Sequence, residues 1–450
     1  MKISIENFKS ISALHNFELK PFTVLSGKNS SGKSSFIQLL LILKQTIEKS
    51  STKDIFVIND EYYSGEDFIS LIYKKKSKND ILFSFKFDKS EFSNSKNPLL
   101  VLANEVDIEI SLKEHKGKPI IKLFNIKTQL DQTSKEPYLK ILSNNSLYKI
   151  ESNDNSFGEG IWGENIEHAS IDFEAFYPNS FSEKEGIKKF IKIDWAKKII
   201  NLFLSNIYYL GPDRESPKVA YSTSKQTKTV GIKGEFTAQL LQQKANETIE
   251  YYEIINKDKS VEYEQKKGHL SDAIKFWMCE VFGVAKNIYS EKKDDTYRIF
   301  LETENGLKVN IKHVGYGISQ LLPIIVEGLI MPKNGTLIIE QPEIHLHPKI
   351  QSQLFDFLYS LILQGKKVIV ETHSSHFITR MRRRVAESQD KIYKKINLTF
   401  IENDIFRTIK LDDFGSMEYF PKDFIEQDTE ELKAIVEAQM NKRLKDSTNG

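Results

Sequence analysis

Apolar and polar residues alternate from Met1-Lys2-Ile3-Ser4-Ile5 to Phe8, and a second run, Phe22-Thr23-Val24-Leu25-Ser26, is rich in apolar and β-branched positions. Both patterns predict strands. A Gly/Ser loop follows, then an apolar helix through Leu39, Leu41 and Leu43. From about residue 55 to 160 the period is two: Asp80 to Phe87 and Val106 to Leu112 alternate, with Asn, Ser, Lys and Gly turns between such runs. An antiparallel β subdomain is expected there. Residues 187–206 carry helical spacing and lead into a short strand, Ile207-Tyr208-Tyr209-Leu210, stopped by Gly211-Pro212. The stretch 233–283 has Gln/Glu-rich faces and apolar spacing through Ala273, Phe276, Trp277 and Val281, and reads as mainly helical. Strands and helices alternate again from 296, and a charged helix is expected from about 428 to 445.

The loop after the second strand reads Gly27-Lys28-Asn29-Ser30-Ser31-Gly32-Lys33-Ser34, which fits G-x-x-x-x-G-K-[ST] without substitution, and Ser35 follows it. The glycines permit torsions that aim backbone N–H groups at phosphates, and the next helix adds the positive end of its dipole. Lys33 is expected to bridge the β- and γ-phosphates. Ser34 is expected to offer its hydroxyl to Mg²⁺, a hard cation that prefers oxygen. The strand–loop–helix setting is the one this motif requires. ATP and Mg²⁺ are therefore the expected cofactors.

The C-terminal half carries matching pieces. Thr336 to Glu340 is a buried-strand pattern that ends in Glu340-Gln341-Pro342-Glu343, placing carboxylates where a parallel sheet opens onto a crevice. Glu340 is expected in the Mg²⁺ shell. Upstream, Gly315-Tyr316-Gly317-Ile318-Ser319-Gln320 precedes an apolar helix and puts small residues and a serine at its N-terminus, suited to an anion. Downstream, Val368 to Thr372 is another apolar strand that delivers His373 to the same edge.

In this order and spacing the pieces resemble the ABC-type ATPase heads of the SMC, RecF and OLD group, in which the Walker A half and the signature/Walker B half are separated by a long insertion. The resemblance implies an α/β fold, a P-loop ABC-type ATPase head with an antiparallel β subdomain and a helical insertion. Gly315 to Gln320 resembles a degenerate signature motif, with Gly317, Ser319 and Gln320 at the nucleotide. Glu340 matches the Walker B acid, His345-Leu346-His347-Pro348 resembles the D-loop, and His373 matches the switch histidine. The phrases Asn29 to Ser34, Tyr209-Leu210-Gly211-Pro212, Glu340 to Glu343 and Phe420-Pro421-Lys422-Asp423-Phe424 are similar to a prokaryotic branch of small standalone ATPases with a characteristic C-terminal segment. Members of that branch tend to occur in anti-phage defence operons, and Septu-type ATPase subunits paired with an HNH nuclease are related examples. The implied segments are 1–54 and 296–412 for the two halves of the ATPase core, 55–186 for the β-rich insertion, 187–295 for a helical lobe, and 413–450 for the C-terminal segment.

One position departs from the ABC pattern. The residue after the Walker B acid is usually a glutamate that polarises the attacking water, and here it is Gln341. A carboxamide orients water but takes no proton from it at neutral pH, so slow turnover is expected. Glu343, two residues on, is the alternative base, and the two readings stay open at this point. His345 and His347 invite a metal reading, but no third ligand stands at a recognisable spacing. Arg380-Met381-Arg382-Arg383-Arg384 reads as a solvated helix face or as a contact for nucleic-acid phosphates. Arg214, in Gly211-Pro212-Asp213-Arg214, belongs to a structural turn or reaches nucleotide or a neighbouring subunit.

Composition narrows the function classes. The 450 residues suffice for two or three domains, and no apolar run reaches the roughly 18 residues of a membrane span. The N-terminus lacks the layout of a secretory signal, so a cytoplasmic protein without membrane contact is expected. The net charge of +2 gives no global attraction to DNA, and the one cysteine, Cys279, reads as a buried small hydrophobe. The expected protein is a homodimer or higher homo-oligomer that shares ATP sites between chains and gates an effector such as an HNH nuclease. The competing readings are a RecF/SMC-like DNA-repair ATPase and a nucleotide-bound scaffold that hardly hydrolyses. An OLD-type nuclease is disfavoured, because no acidic triad follows His373.

Overall fold

The computed structural model describes residues 1–28, 31–49, 54–93, 96–130, 136–144, 147–158, 161, 165–183, 186, 188–223, 227–257, 260–419, 421, 434–437 and 439. Two sheets organise it. The nucleotide-type sheet has six strands: β1 (Phe22–Gly27), β2 (Ile207–Leu210), β3 (Thr336–Glu340), β4 (Lys367–Glu371), β5 (Ile396–Glu402) and β6 (Ile405–Ile409). Their order across the sheet is β2-β3-β4-β1-β5-β6, parallel except for β6 at the edge. The loop strand β1 therefore has β4, not β3, as its neighbour on the acidic side.

Alternate residues of these strands enter two cores, as a period of two requires. Leu25, Ile338, Ile369 and Ile401 pack with helix α1 (Lys33–Glu48) and the second sheet. Val24, Leu337, Ile339, Val368, Val370 and Phe400 pack with α2 (Tyr316–Ile330), α3 (Pro348–Leu363) and α4 (Ser375–Glu387). Covering both faces is what a parallel sheet needs, and it accounts for the near-continuous apolar strands. Helix α1 is buried at almost every position from Ser35 to Ile47 because it lies between two sheets and has no solvent face.

The second sheet has ten strands, all antiparallel to their neighbours, running from Lys189–Phe190 through Tyr177–Ser182, Asn165–Glu174, Leu147–Ser152, Tyr138–Asn144, Lys118–Leu130, Ala103–His115 and Ile81–Asp88 to Lys2–Phe8 and Ile11–Glu18. Its last two strands come from the N-terminus, where Lys2–Phe8 pairs with Ile81–Asp88. The expected division at 54/55 thus runs through a continuous sheet. The strands that read as an inserted β subdomain extend a sheet begun by the first residues of the chain.

The expected helical lobe at 187–295 is corrected more sharply. Helices occupy Asp194–Ser205, Thr237–Gln243 and Leu270–Lys275, the last running on into a π-helical turn at Phe276–Val281. Between them Thr248–Lys257 and Ser260–His269 form a two-stranded antiparallel hairpin. Thr248, Ile249, Tyr251, Tyr252, Ile254 and Ile255 supply β-branched and aromatic side chains that suit a pleated ribbon, and they outweigh the helical preference of the Gln and Glu residues. Tyr263 anchors the hairpin on α3, its ring 5.4 Å from that of Tyr359. Most of segment 413–450, including four of the five residues of Phe420 to Phe424, lies outside the described residues.

Candidate nucleotide site

β1 ends in Gly27 at φ +143°, and a Cβ there would overlap the Ile401 carbonyl of β5. Gly32, at φ +105°, closes the loop; a Cβ at this position would stand 2.8 Å from Ser10 Oγ. Both glycines are therefore required by close approach as well as torsion. Asn29 and Ser30 lie outside the described residues. Helix α1 opens at Lys33 with no side-chain cap, so its first N–H groups face the loop. Lys33 Nζ donates to the carbonyls of Gly27 at 3.1 Å and Lys28 at 2.7 Å. Ser35 Oγ contacts Ser10 Oγ at 2.9 Å, whereas the buried Ser31 Oγ has no partner among the described residues.

Facing this loop are two carboxylates in register, Glu340 at the end of β3 and Glu371 at the end of β4. Both are buried, at 8% and 3% exposure. Tyr209 Oη donates to Glu340 Oε1 at 2.7 Å, and Arg214 Nη2 donates to the Glu340 carbonyl at 2.8 Å. Ser34 Oγ donates instead to Glu371, 3.1 and 3.4 Å from its two oxygens, and Lys33 Nζ lies 4.0 Å away. Burial, and then the charge of Glu340, pushes the Glu371 carboxyl up to about 7. Burial also raises Glu340 and lowers Lys33, the latter against the pull of Glu371. Glu371 is absent from the sequence expectations, although Val368-Ile369-Val370-Glu371 carries the same signal as Leu337-Ile338-Ile339-Glu340: an apolar strand ending in a carboxylate.

Gln341 leaves β3 in a left-handed conformation, φ +44°, and its N–H donates to the Glu371 carbonyl at 2.8 Å. Glu343 is committed on both oxygens: Oε1 accepts the His373 N–H at 2.6 Å and Oε2 accepts Thr372 Oγ1 at 2.9 Å. Burial raises its carboxyl while these bonds oppose the shift. The Glu343 side chain thus ties the turn after β3 to the turn after β4. Partial desolvation, and then the charge of Lys33, hold the His373 imidazole below its usual value. Arg214 is buried and keeps Nε and Nη1 without partners among the described residues; burial lowers its guanidinium to about 10.

The signature-like residues open α2 behind an uncapped Gly315. A Cβ on Gly317 would stand 2.6 Å from the His345 carbonyl, and the Tyr316 and His345 rings meet edge-on at 4.8 Å. Ser319 Oγ donates to the Tyr316 carbonyl at 2.6 Å, and the buried Gln320 leaves Nε2 unpartnered among the described residues. Within one chain no hydrogen bond among the described residues joins 315–320 to 31–35.

The arginine run and the two histidines find other partners in the fold. Arg384 is buried against Asp356 at 2.6 and 3.0 Å, Arg380 lies 3.4 Å from the same carboxylate, Arg383 pairs with Glu387, and Arg382 Nε donates to the Gly415 carbonyl. Arg384, Arg380 and Arg382 are thus held within the fold, while Arg383, its side chain 61% exposed, stands on the solvated face of the helix. The His347 side chain accepts from Lys349 N at the start of α3, and no cluster of three metal-binding side chains occurs among the described residues. Half-buried Cys279 is pushed up to about 11 by burial and stays a thiol.

The remaining donor set fits a magnesium nucleotide. Gly27 and Gly32 shape a cradle that side chains would fill, and the uncapped α1, Ser31 Oγ and Lys33 supply donors for phosphate. Ser34 and Glu340 would offer oxygen ligands to a hard cation, with the Glu371 carboxylate beside Ser34.

The family model of the AAA ATPase domain matches residues 1–378. No curated protein matches. Among solved structures, the chain is similar to the SMC head bound to the C-winged helix domain of ScpA, with 10% identity, 91% of this chain and 97% of that one covered, and a TM-score of 0.41. It is similar to the SMC head domain from Thermotoga maritima at 11% identity, 91% and 98% coverage and a TM-score of 0.37. A third, the Smc head domain with an extended coiled coil bound to the C-terminal domain of ScpA derived from Pyrococcus furiosus, gives 9% identity, 96% and 98% coverage and a TM-score of 0.41. With a family match over most of its length and the phosphate loop and buried acids in place, the chain belongs to the AAA ATPase domain family.

Proposed function

We propose that this ATPase works as a two-chain switch: two copies close on two ATP molecules, hydrolyse them slowly, and signal the closed state to a partner. Lys33 would meet the β- and γ-phosphates, and Ser34 with Glu340 would hold Mg²⁺, which would supply charge neutralisation at the phosphate oxygens. Ser319 and Gln320, at the uncapped start of α2, meet the γ-phosphate held by Gly27 to Ser34 of the other copy. The lack of any hydrogen bond between residues 315–320 and 31–35 among the described residues of one chain supports this trans arrangement. Gln341 orients the attacking water without taking its proton, and His373, at the end of the neighbouring strand, offers a hydrogen-bonding group at the same edge.

The single observation that carries the slow-turnover reading is the state of Glu343. Each of its oxygens accepts a hydrogen bond, from Thr372 and His373, which ties the carboxylate to the turn after β4 and disfavours it as the base for water held at Gln341. Steady-state phosphate release from three proteins tests it. Gln341→Glu is expected to hydrolyse faster than wild type, by up to about 10²- to 10⁴-fold if a general base is what is missing. Glu343→Gln is expected to change turnover only as far as it loosens the two turns. A wild-type rate abolished by Glu343→Gln and unmoved by Gln341→Glu would assign the base to Glu343 instead.

The partner we propose is an effector nuclease of HNH type, and the setting is prokaryotic anti-phage defence. This part rests on the resemblance of Asn29 to Ser34, Tyr209 to Pro212 and Glu340 to Glu343 to that branch. Phage plating on cells that carry the gene with its neighbours, against the same cells with Lys33→Ala, tests it. Equal plating efficiency would favour the repair-type reading.

A further inference from the structure

Ser34 offers one proton and two lone pairs, and where the proton goes decides where the lone pairs point. In the fold the proton goes to Glu371: β4 lies directly beside β1, whereas β3 and Glu340 are one strand further out. Glu340 is held from the outer side by Tyr209 of β2. Glu371 meets the loop residues directly, 3.1 Å from the Ser34 hydroxyl and 4.0 Å from the Lys33 ammonium.

Its backbone is fixed on both sides. The Glu371 carbonyl accepts the Gln341 N–H at 2.8 Å, Thr372 N–H donates to the Leu25 carbonyl at 3.0 Å, and Ser26 Oγ donates to the Thr372 carbonyl at 2.7 Å. A carboxylate this firmly placed, buried beside the hydroxyl that ligates the ion, is positioned before any nucleotide arrives.

We infer that Glu371 is the positioning carboxylate of the Mg²⁺ site: it accepts the hydrogen bond of the Ser34 hydroxyl, which turns the Ser34 lone pairs toward the ion, and sets its own negative charge nearby. Glu340 is then the outer carboxylate. The inference rests on the reading of Gly27 to Ser34 as the ATP site and adds a residue to it. A chemical consequence follows from the sign of the charge. With Mg²⁺ bound, Glu371 favours the nucleotide through the ion; without Mg²⁺ it repels the phosphates directly.

The test is the affinity for a fluorescent ATP analogue in excess Mg²⁺ and in excess EDTA, for wild type, Glu371→Gln, Glu371→Ala and Ser34→Ala, with folding checked by circular dichroism. In Mg²⁺ both Glu371 variants are expected to bind about 10- to 100-fold more weakly, the loss typical of removing a partner that orients a metal ligand. In EDTA they are expected to bind at least as tightly as wild type. Because Glu371 acts through Ser34, the losses in Ser34→Ala and Glu371→Gln are expected to be less than additive in the double variant. Titration with Mn²⁺, read by electron paramagnetic resonance in the presence of ADP, is expected to show the same weakening without reference to turnover. Losses of equal size in Mg²⁺ and EDTA, or unchanged affinity in Mg²⁺, overturn the inference. Wild type that binds the analogue in neither condition overturns the ATP-site reading beneath it.

Discussion

The charges that matter most in this protein are buried singly or in small groups, and each has a testable cost. Lys33 is 3% exposed, and its Nζ bonds carbonyls of its own loop and approaches Glu371. Lys33→Ala is expected to weaken nucleotide binding by about 10- to 100-fold, the value of a charge-assisted contact of roughly 1.5–3 kcal/mol, while the fold persists. Equilibrium titration with a fluorescent ATP analogue measures it. Glu327, inside α2, is a second case: 1% exposed, it accepts Val230 N at 2.6 Å, and burial raises its carboxyl from 4.5 to about 7. Between those two values the folded chain holds a proton that the unfolded chain has lost, so Glu327 makes the protein less stable as pH rises through that window. Glu327→Gln keeps the acceptor and removes the titration. Thermal melts at pH 5 and pH 8 are expected to show the variant gaining on wild type at the higher pH. At this scale the phosphate loop was legible in the sequence because eight consecutive residues carry it. Glu371 was not, because its importance comes from which strand lies beside β1, a fact that no local spacing encodes.

Among the elements, the strands and helices of the ATPase core were readable where burial forces a simple pattern, as in Thr336–Glu340 and Lys367–Glu371. The misreading of Thr248–Lys257 and Ser260–His269 as helix shows the opposite case. These strands pair with each other and expose much of one face, so their polar residues carry no strong period and only the β-branched and aromatic content tells. The arginine run on α4 was ambiguous for a related reason: a helix face rich in guanidinium groups looks alike whether it meets solvent, phosphate or a buried acid. Asp356 on α3 resolves it, with Arg384 and Arg380 gathered on its carboxylate. Arg384→Ala would leave Asp356 buried without its main partner and is expected to destabilise the fold by about 3–5 kcal/mol, far more than loss of a surface charge. Urea unfolding measures this. A near-zero change would return Arg384 to the list of free surface cations.

For the molecule as a whole, the ten-stranded sheet, α1, the six-stranded sheet and the outer helices form successive layers, and the site sits where β1, β3 and β4 end. The breadth of the ten-stranded sheet was hidden from the sequence because its N-terminal strand Lys2–Phe8 pairs with residues about eighty positions away. One chain brings together Lys33, Ser34, Glu340, Glu371, Glu343 and the turn at His373, but keeps Gly317, Ser319 and Gln320 on α2 without a hydrogen bond to the loop. The account therefore predicts that a working site is assembled from two chains, the P-loop of one and the start of α2 of the other. The most direct measurement is phosphate release from a mixture of Lys33→Ala and Ser319→Arg proteins, each inactive alone, with heterodimers verified by differential tags. Recovery of activity, toward one working site per heterodimer, is the predicted result; verified heterodimers as inactive as the separate mutants would contradict it.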